Sequence, residues 1–239
     1  MSVRVKTAML MAAGLGKRMR PLTATRPKPL VKVAGRPLMD HALDRLEAAG
    51  IERVIVNVHY LPDTIIAHMK ARKSPMEVLI SDERDKLLET GGGLMKAAAL
   101  LGDEPFLCAN SDNLWVDGPR DSIAMLADLW DDARMDALLL VVPHARANCH
   151  GGPGDFHMAA DGRLSRRKPC HIAPFVFTGV QIMSPRLLTD PPGDVFSTNV
   201  FWNRAIEAGC LYGASHQGLW FDVGTPRAIP MVETIIGNG

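Results

Sequence analysis

Short apolar runs along the chain alternate with segments that repeat apolar residues at helical spacing. Uninterrupted apolar runs are typical of strands that are buried on both faces of a sheet. In the first half, the predicted strands are Thr7–Met11, Val54–Val58, Glu77–Ile80, Phe106–Ala109 and Ala137–Val142. The helices predicted between them are Pro37–Ala49, Asp63–Ala71, Gly93–Leu101 and Ser122–Trp130.

This alternation predicts an α/β fold with a mainly parallel sheet, because strand, helix and next strand form right-handed crossovers that cover both sheet faces. We expect a three-layer α/β/α, Rossmann-like arrangement. Ligands of such sheets bind beyond the carboxyl ends of the strands. The loop after Met11 and the loop that contains Asp112 both fall at that edge.

The second half has a different pattern. Residues 144–175 are rich in Gly, Pro, His and Arg, and they predict a lid or an inserted hairpin. A strand over Phe175–Met183, a helix over Thr198–Ala208 and a closing helix over Pro226–Ile236 are predicted beyond it. We expect a single domain over residues 1–239, with one half at about 1–143 and a substrate-facing half at about 144–239.

The composition is that of an ordinary globular protein, with 47% hydrophobic and 22% charged residues. No stretch reaches the ~20 consecutive apolar residues of a membrane span, and no signal-peptide block follows the N-terminus. The four cysteines are far apart and form no CxxC pair, which argues against a disulfide framework and a structural zinc site. We therefore expect a cytoplasmic protein without a membrane partner.

Charge is distributed unevenly along the chain. The formal net charge is +1, but residues 1–39 hold nine basic residues and no Asp or Glu. Such a cluster is typical of a solvated face or a nucleic-acid patch. Residues 1–39 contain no aromatic residue, whereas a single-strand binding surface needs aromatic platforms between its charges. The interleaved Gly and Pro residues favour a shaped loop for a compact polyanion, and we expect no nucleic-acid partner.

A glycine-rich, basic loop follows the first predicted strand. Gly14 and Gly16 allow the backbone to approach a phosphate chain, and Lys17 and Arg18 supply cations to neutralise it. The spacing is not that of a P-loop, and Met19 occupies the third glycine position of a dinucleotide fingerprint. The loop therefore predicts phosphate binding without specifying the ligand.

Three further residues are candidates for chemistry on phosphates. Lys28 lies between Pro27 and Pro29, which fix the backbone, although a surface loop with a solvated Lys is the simpler interpretation of that segment alone. Asp112 and Asp222 each follow an apolar, strand-like segment and carry carboxylates of the kind that hold Mg²⁺. Either aspartate alone is more typical of a turn or a cap.

Together these motifs resemble the signature of sugar-1-phosphate nucleotidylyltransferases. The matching segments are residues 10–19, 27–30, 88–93, 110–112, 167–169, 177–180 and 220–225. The resemblance covers nearly the whole chain and implies the nucleotide-diphospho-sugar transferase fold, with an inserted sugar-binding subregion. Two residues depart from the pattern, since Ser111 stands where Gly is common and Arg167 where an acid is expected.

The resemblance also implies a role for individual residues. Nucleotide contacts are expected from Ala12, Ala13, Gly14, Gly16, Lys17, Arg18, Lys28, Thr90 and Gly91, with Glu83 as an additional candidate. Sugar-phosphate contacts are expected from Asn110, Lys168 and Gly179. The catalytic set is Arg18 for the leaving phosphates, Lys28 for the reacting phosphate, and Asp112 and Asp222 as ligands of Mg²⁺.

The implied reaction joins a nucleoside triphosphate to a sugar 1-phosphate and releases pyrophosphate. The form of residues 89–93 is most similar to N-acetylmuramate-1-phosphate uridylyltransferases, which favours UTP and that sugar phosphate. Glucose-1-phosphate and mannose-1-phosphate enzymes stay open as alternatives. A non-catalytic nucleotide-sugar-binding regulator and an NAD-dependent oxidoreductase are the other classes considered. The two aspartates argue against the regulator, and Met19 argues against the oxidoreductase.

Two groups of residues receive minor roles. Trp202 and Trp220 are expected in the core or at the border of the sugar pocket. The set His144, Cys149, His150, Asp155 and His157 fits no standard zinc spacing, so we interpret it as part of a loop.

Overall fold

The computed structural model describes residues 4–237 and, within them, fourteen β-strands and six α-helices. The strands are β1 (Thr7–Met11), β2 (Lys32–Val33), β3 (Arg36–Pro37), β4 (Arg53–Val58), β5 (Glu77–Asp82), β6 (Phe106–Asn110), β7 (Asn113–Val116), β8 (Ala137–Pro143), β9 (Ala147–Asn148), β10 (Phe156–Met158), β11 (Leu164–Arg166), β12 (Phe175–Met183), β13 (Leu211–Ser215) and β14 (Leu219–Asp222). The helices are α1 (Leu38–Ala48), α2 (Pro62–Ala71), α3 (Glu89–Leu101), α4 (Ser122–Leu129), α5 (Asn199–Glu207) and α6 (Ala228–Gly237).

The central sheet of the described residues runs in the order β5-β4-β1-β6-β12-β8-β13, and the β10–β11 hairpin joins it beside β12. Strands β5, β4, β1 and β6 are parallel neighbours. Strand β12 is antiparallel to both β6 and β8, whereas β13 is again parallel to β8. The prediction of a mainly parallel α/β sheet is therefore confirmed, with β12 and β11 as its antiparallel strands.

Both faces of the sheet are buried, as the continuous apolar runs require. In β1, Ala8 and Leu10 join one core cluster, and Met9 between them joins the other. The first cluster takes its helical residues from α1, α2 and α4, and the second takes them from α3 and α5. This division produces the three predicted layers. Within residues 4–237, no helix is both long and apolar enough to cross a bilayer.

One helix boundary differs from the prediction in a way that affects the site. The helix predicted over Gly93–Leu101 begins four residues earlier in the structure, because α3 starts at Glu89. Glycine has a low helix propensity, so three consecutive glycines do not predict a helical turn. In the structure Gly91 and Gly92 are buried against residues 194–196, where any larger side chain would clash. The predicted hairpin within residues 144–175 is present as β10 and β11.

A small sheet of β7, β14 and β9 lies beside the central sheet. A third core cluster supports it and includes Met19, Leu114, Phe221 and Val223. Met19 directly follows Arg18 in the chain, and Phe221 and Val223 flank Asp222. Packing of these apolar side chains therefore brings the basic N-terminal loop next to β14, as is required for Arg18 and Asp222 to belong to one site.

Candidate active site

The loop after β1 borders a cavity of about 370 Å³ at the carboxyl edge of the parallel strands, which we call the first cavity. Its wall includes Ala12, Ala13 and Gly14 from this loop. The backbone N–H of Ala12 donates to Asn57 Oδ1 at 2.7 Å, which ties the loop to the end of β4. The cavity thus presents the glycine-rich loop to a ligand, together with larger apolar and polar side chains from other elements.

Gly16 determines how closely two loops approach one another. Its φ is +61°, in the left-handed region that favours glycine, and an added Cβ would lie 3.0 Å from both Lys28 Cβ and Thr23 Cγ2. The Thr23 hydroxyl donates to the carbonyl oxygen of Gly16 at 2.8 Å. The glycine-rich loop therefore lies directly against the backbone that carries Lys28.

Lys28 and Asp112 form a short ion pair, although they are far apart in sequence. Lys28 Nζ donates to Asp112 Oδ2 at 2.6 Å, and the Lys28 side chain is only 10% exposed. A buried ammonium group needs such a partner, because an unpaired buried charge is strongly unfavourable. The interpretation of Lys28 as a solvated loop residue is therefore wrong.

Asp222 lies close to Asp112 because of strand pairing. In the antiparallel pair of β7 and β14, Asn113 is directly opposite Asp222, and Asp112 precedes Asn113. His150 Nδ1 lies 3.4 Å from Asp222 Oδ2. A Cβ on the buried Gly224 would lie 2.9 Å from Asp222 Oδ1 and 3.0 Å from Arg18 Nη1, so the Arg18 guanidinium also faces this carboxylate.

A second cavity of about 310 Å³ opens beside these residues. Arg18, Asp112 and Asp222 line it together with charged and aromatic side chains of the second half, among them Arg166 and Trp202. Asn110 and Asp112 line both cavities. The site therefore consists of two adjoining compartments, with a carboxylate at their junction.

Glu83 lies beneath the first cavity and is 1% exposed. Its Oε1 accepts a hydrogen bond from Asn57 Nδ2 at 2.8 Å, so the carboxylate, Asn57 and the Ala12 N–H form a chain. Burial raises the pKa of the Glu83 carboxyl, although the hydrogen bonds from Asn57 and from the Leu88 N–H oppose the shift. Glu83 thus orients Asn57 from behind the cavity wall.

Comparison with known proteins relates this geometry to a reaction class. Residues 7–151, which carry the glycine-rich loop, Lys28 and Asp112, match the family model described as nucleotidyl transferase. The chain belongs to the nucleotidyl transferase family. It is a nucleotidylyltransferase, as the resemblance implied.

Two relatives of this nucleotidyltransferase match it over nearly their full length. It is 43% identical over 95% of its length to the N-acetylmuramate alpha-1-phosphate uridylyltransferase of Caulobacter vibrioides, covering 96% of that protein. It is 31% identical over 96% of its length to the protein of the same name from Neisseria meningitidis serogroup B, covering 98% of it. The solved structure of a UDP-glucose pyrophosphorylase from Acinetobacter baumanii has a TM-score of 0.79 at 16% identity, covering 98% of this chain and 93% of that one, which supports the fold alone.

Most of the residues predicted for the site meet in this nucleotidyltransferase. The first cavity is lined by Ala12, Ala13, Gly14, Lys28, Thr90, Asn110 and Asp112. The second is lined by Arg18, Asn110, Asp112 and Asp222, together with Trp202 and Trp220, which were expected at its border. Gly179 has a φ of +89° at a bulge of β12, where an added Cβ would meet the amide groups of Asn110 and Asn113. These positions agree with the predicted roles, which stay predictions.

Four of the residues predicted to contact a substrate line neither of the two cavities. Lys168 is exposed beyond the end of β11, and Lys17 is exposed on the glycine-rich loop. Gly16 contacts Lys28 rather than the first cavity. The N–H of Gly91 donates to the Phe196 carbonyl oxygen at 2.8 Å, so it is occupied within the protein. Lys168 is not among the residues that line the second cavity, whereas Arg166 of β11 is, and the sugar-phosphate contact expected from Lys168 stays a prediction.

Several functional candidates were missed from the sequence. His150 and Asp155, interpreted as loop residues, both line the second cavity, as does Arg166. Asp155 Oδ2 accepts the N–H of Phe177 at 2.8 Å, which links the loop before β10 to β12. Leu164 and Arg166 share one face of a short strand, and this alternation was the one signal that could have indicated Arg166.

Proposed function

We propose that this enzyme transfers the uridylyl group of UTP to N-acetylmuramate α-1-phosphate and releases pyrophosphate. The observation that carries the proposal is the junction at Asp112, where two cavities meet beside Lys28. The first cavity suits a nucleotide, and the second suits a sugar phosphate. The choice of UTP and N-acetylmuramate rests on the two full-length relatives of that activity.

The residues at this junction fit a Mg²⁺ ion. Asp112 and Asp222 are partly exposed and line the same cavity. Mg²⁺ in nucleotide enzymes is commonly held by one or two carboxylates together with substrate phosphates. Within residues 4–237, no group of three or more His, Cys, Asp or Glu residues is arranged to hold an ion, so substrate oxygens and water would complete the coordination. When bound, the ion would neutralise charge on the phosphates.

The residues of the chain have to bring two anions together. Unit charges ~4 Å apart repel by ~4 kcal/mol at an effective dielectric near 20. In the proposed reaction, an oxygen of the sugar 1-phosphate attacks the α-phosphorus of UTP in line with the departing pyrophosphate. Lys28 places a fixed positive charge where the two compartments meet, and Arg18 places a second one beside Asp222. Positioning and charge stabilisation carry the catalysis, without a covalent enzyme intermediate.

The backbone of the glycine-rich loop is the third contributor. Gly14 is exposed and has no heavy atom within 4 Å of an added Cβ, so a phosphate chain can approach it closely. Because the Ala12 N–H is held by Asn57, the loop is fixed before the nucleotide binds. Pre-organised donors lose no reorganisation energy during the reaction.

The proposal is tested with a matrix of nucleotides and sugar phosphates. The purified protein is mixed with UTP, dTTP, GTP or CTP, each paired with the 1-phosphates of N-acetylmuramate, N-acetylglucosamine, glucose and mannose. Pyrophosphate release is measured with Mg²⁺ and with excess chelator. We expect the highest kcat/KM for UTP with N-acetylmuramate α-1-phosphate and no release with chelator.

Other outcomes of the matrix are equally informative. Highest kcat/KM with glucose or mannose 1-phosphate would replace the proposed substrate while keeping the reaction. Nucleotide-sugar binding without pyrophosphate release from any pair would instead support a regulatory protein. Activity that survives complete chelation would contradict the role of the metal.

A further inference from the structure

We propose that Arg166 binds the lactyl carboxylate of N-acetylmuramate and so selects this sugar over N-acetylglucosamine. The inference rests on the proposed function and deepens it. The two sugars differ at one position, where N-acetylmuramate carries a lactyl ether that ends in a carboxylate. A site that distinguishes them therefore needs a cation in the sugar compartment, away from the groups that handle the phosphates.

Arg166 is held in a fixed orientation. Its guanidinium lies 5.0 Å from the ring centroid of Phe156 and 5.4 Å from that of Trp202. Its Nε donates to Asn203 Oδ1 at 3.0 Å, and one Nη2 hydrogen bond reaches Asn199 Oδ1 at 2.8 Å. Aromatic faces and amide oxygens together fix the plane of the guanidinium and leave Nη1 as the nitrogen that can donate a charge-assisted hydrogen bond to a carboxylate.

The charge of Arg166 is not neutralised within the described residues. Its hydrogen-bond partners there are neutral oxygens of Asn199 and Asn203, and its Nη1 has no hydrogen-bond partner within residues 4–237. Asp155 attracts it through space without forming an ion pair, and Asp155 Oδ2 is used by the Phe177 N–H. A partly desolvated cation without an ion-pair partner is favourably compensated by an anionic ligand.

Arg166 also forms a wall of the second cavity that is built from other elements than those of the reacting groups. Asp112, Asp222 and Arg18 are grouped around β7 and β14. Arg166 instead lies on β11 and contacts β10 and α5, yet it lines the same second cavity. A sugar phosphate that places its phosphate at Asp112 would extend its ring substituents toward this wall. Trp202, whose indole N–H donates to Gln181 Oε1 at 2.8 Å, provides a rigid surface there.

The test combines an enzyme variant with a pair of substrates. Arg166→Gln is compared with wild type on N-acetylmuramate α-1-phosphate and on N-acetylglucosamine α-1-phosphate, with UTP saturating. Because a charge-assisted hydrogen bond is lost, we expect kcat/KM for N-acetylmuramate to fall ~10- to 100-fold, mainly through KM. The value for N-acetylglucosamine should change by less than about threefold, since it has no carboxylate to lose.

A conservative variant and a modified substrate distinguish a loss of sugar selectivity from a loss of folding. Arg166→Lys keeps a cation without the planar fork and should retain intermediate selectivity. With wild-type enzyme, converting the lactyl carboxylate to its amide should lower kcat/KM to a similar extent. Arg163→Gln is the matched control, because Arg163 lies in the same hairpin, is exposed and pairs with Asp161.

The outcomes separate this inference from the proposed function. If wild-type enzyme does not use N-acetylmuramate α-1-phosphate at all, the proposed function fails. If wild type uses it but Arg166→Gln loses activity equally on both sugars, Arg166 binds the shared phosphate or supports the fold, and the selectivity proposal fails. Unchanged selectivity in Arg166→Gln, or full activity on the amide, would also overturn it.

Discussion

The two cavities differ in what they present to a substrate. The first is bordered by the glycine-rich loop and by apolar and polar side chains at the ends of parallel strands, with Lys28 as its cation. The second is lined by charged and aromatic side chains, among them Arg18, Asp155, Arg166 and Asp222. Substrate binding in the first cavity should therefore respond most to side-chain atoms added at the glycines, whereas binding in the second should respond most to the loss of a charged group. Each of the following substitutions changes one of the two cavities or a residue that connects them.

The largest effect is expected where the cavities meet. Asp112→Asn and Asp222→Asn should each lower kcat by ~10³-fold or more, because each removes a charge that would hold the metal, and a tenfold loss corresponds to about 1.4 kcal/mol. Steady-state pyrophosphate release at several Mg²⁺ concentrations measures the loss. Asp128→Asn is the control, since Asp128 is exposed and pairs with Arg120. Near-normal kcat in either site variant with Mg²⁺ would remove that residue from the catalytic set.

Addition of one methyl group at either Gly16 or Gly14 of the glycine-rich loop should separate an effect on stability from an effect on nucleotide binding. Gly16→Ala places a side chain at a φ of +61° and 3.0 Å from Lys28 Cβ, which costs about 1–2 kcal/mol of stability and displaces Lys28. We expect kcat to fall ~10- to 100-fold, because small misplacements of catalytic groups have effects of that size. Thermal unfolding and kcat are measured together.

Gly14→Ala is the matched comparison for this change. Gly14 has open space around an added Cβ, so its stability should be unchanged while KM for the nucleotide rises. Equal loss of stability in the two variants would contradict the close packing of Gly16 against Lys28 and Thr23 and the open space around Gly14.

Sequence reasoning was more successful on one side of the site for a physical reason. Ala12 to Gly14, Lys28 and Asp112 lie in short motifs that follow strand ends, and parallel strands bring such ends to one edge. Arg166 lies over the rings of Phe156 and Trp202, and the His150 ring is 6.1 Å from that of Trp220, so both reach the second cavity through contacts with residues distant in sequence. Lys168, chosen by motif, follows β11 and is exposed.

The layers of the fold were predictable because consecutive residues of strands such as β1 and β4 are apolar. These residues point alternately to the two faces of the sheet, so both faces must be covered. The β7–β14 pair was not predictable, since its strands are four residues each and more than a hundred residues apart in sequence. Short strands depend on pairing rather than on their own pattern. The position of Asp222 beside Asp112 follows from that pairing.

A smaller effect is expected at Thr90, which links the two cavities. The Thr90 side chain lines the first cavity, and its hydroxyl accepts the N–H of Thr198 at 2.8 Å, at the start of α5. Helix α5 carries Asn199 and Trp202 of the second cavity. Thr90→Val leaves the Thr198 N–H unpaired and should cost about 1–2 kcal/mol of stability.

The effect of Thr90→Val on the two KM values shows whether Thr90 connects the two cavities or contributes to the first cavity alone. We expect KM to rise for both substrates, because the nucleotide wall and α5 shift together. Thr90→Ser keeps the hydroxyl and should resemble wild type. A rise in KM for the nucleotide alone would show that Thr90 serves the first cavity only.

The smallest effect is expected at Glu83, and it appears in the pH dependence of stability rather than in turnover. Burial raises the pKa of this carboxyl above its ordinary value of 4.5, so the folded state holds the proton more tightly than the unfolded state does. The resulting stabilisation is full below the unfolded pKa and is lost as pH rises through the folded pKa. Glu83→Gln removes the titration and keeps an oxygen that can accept from Asn57 Nδ2.

The stability of Glu83→Gln relative to wild type should therefore increase as pH rises from about 4 to 8, as measured by urea unfolding at each pH. The exposed Glu104→Gln serves as the control. KM for the nucleotide should stay near the wild-type value, because the glutamine still orients Asn57 and, through it, the Ala12 N–H. A relative stability that is constant over this range would mean that Glu83 is not desolvated, and a large rise in KM would mean that its negative charge itself supports the first cavity.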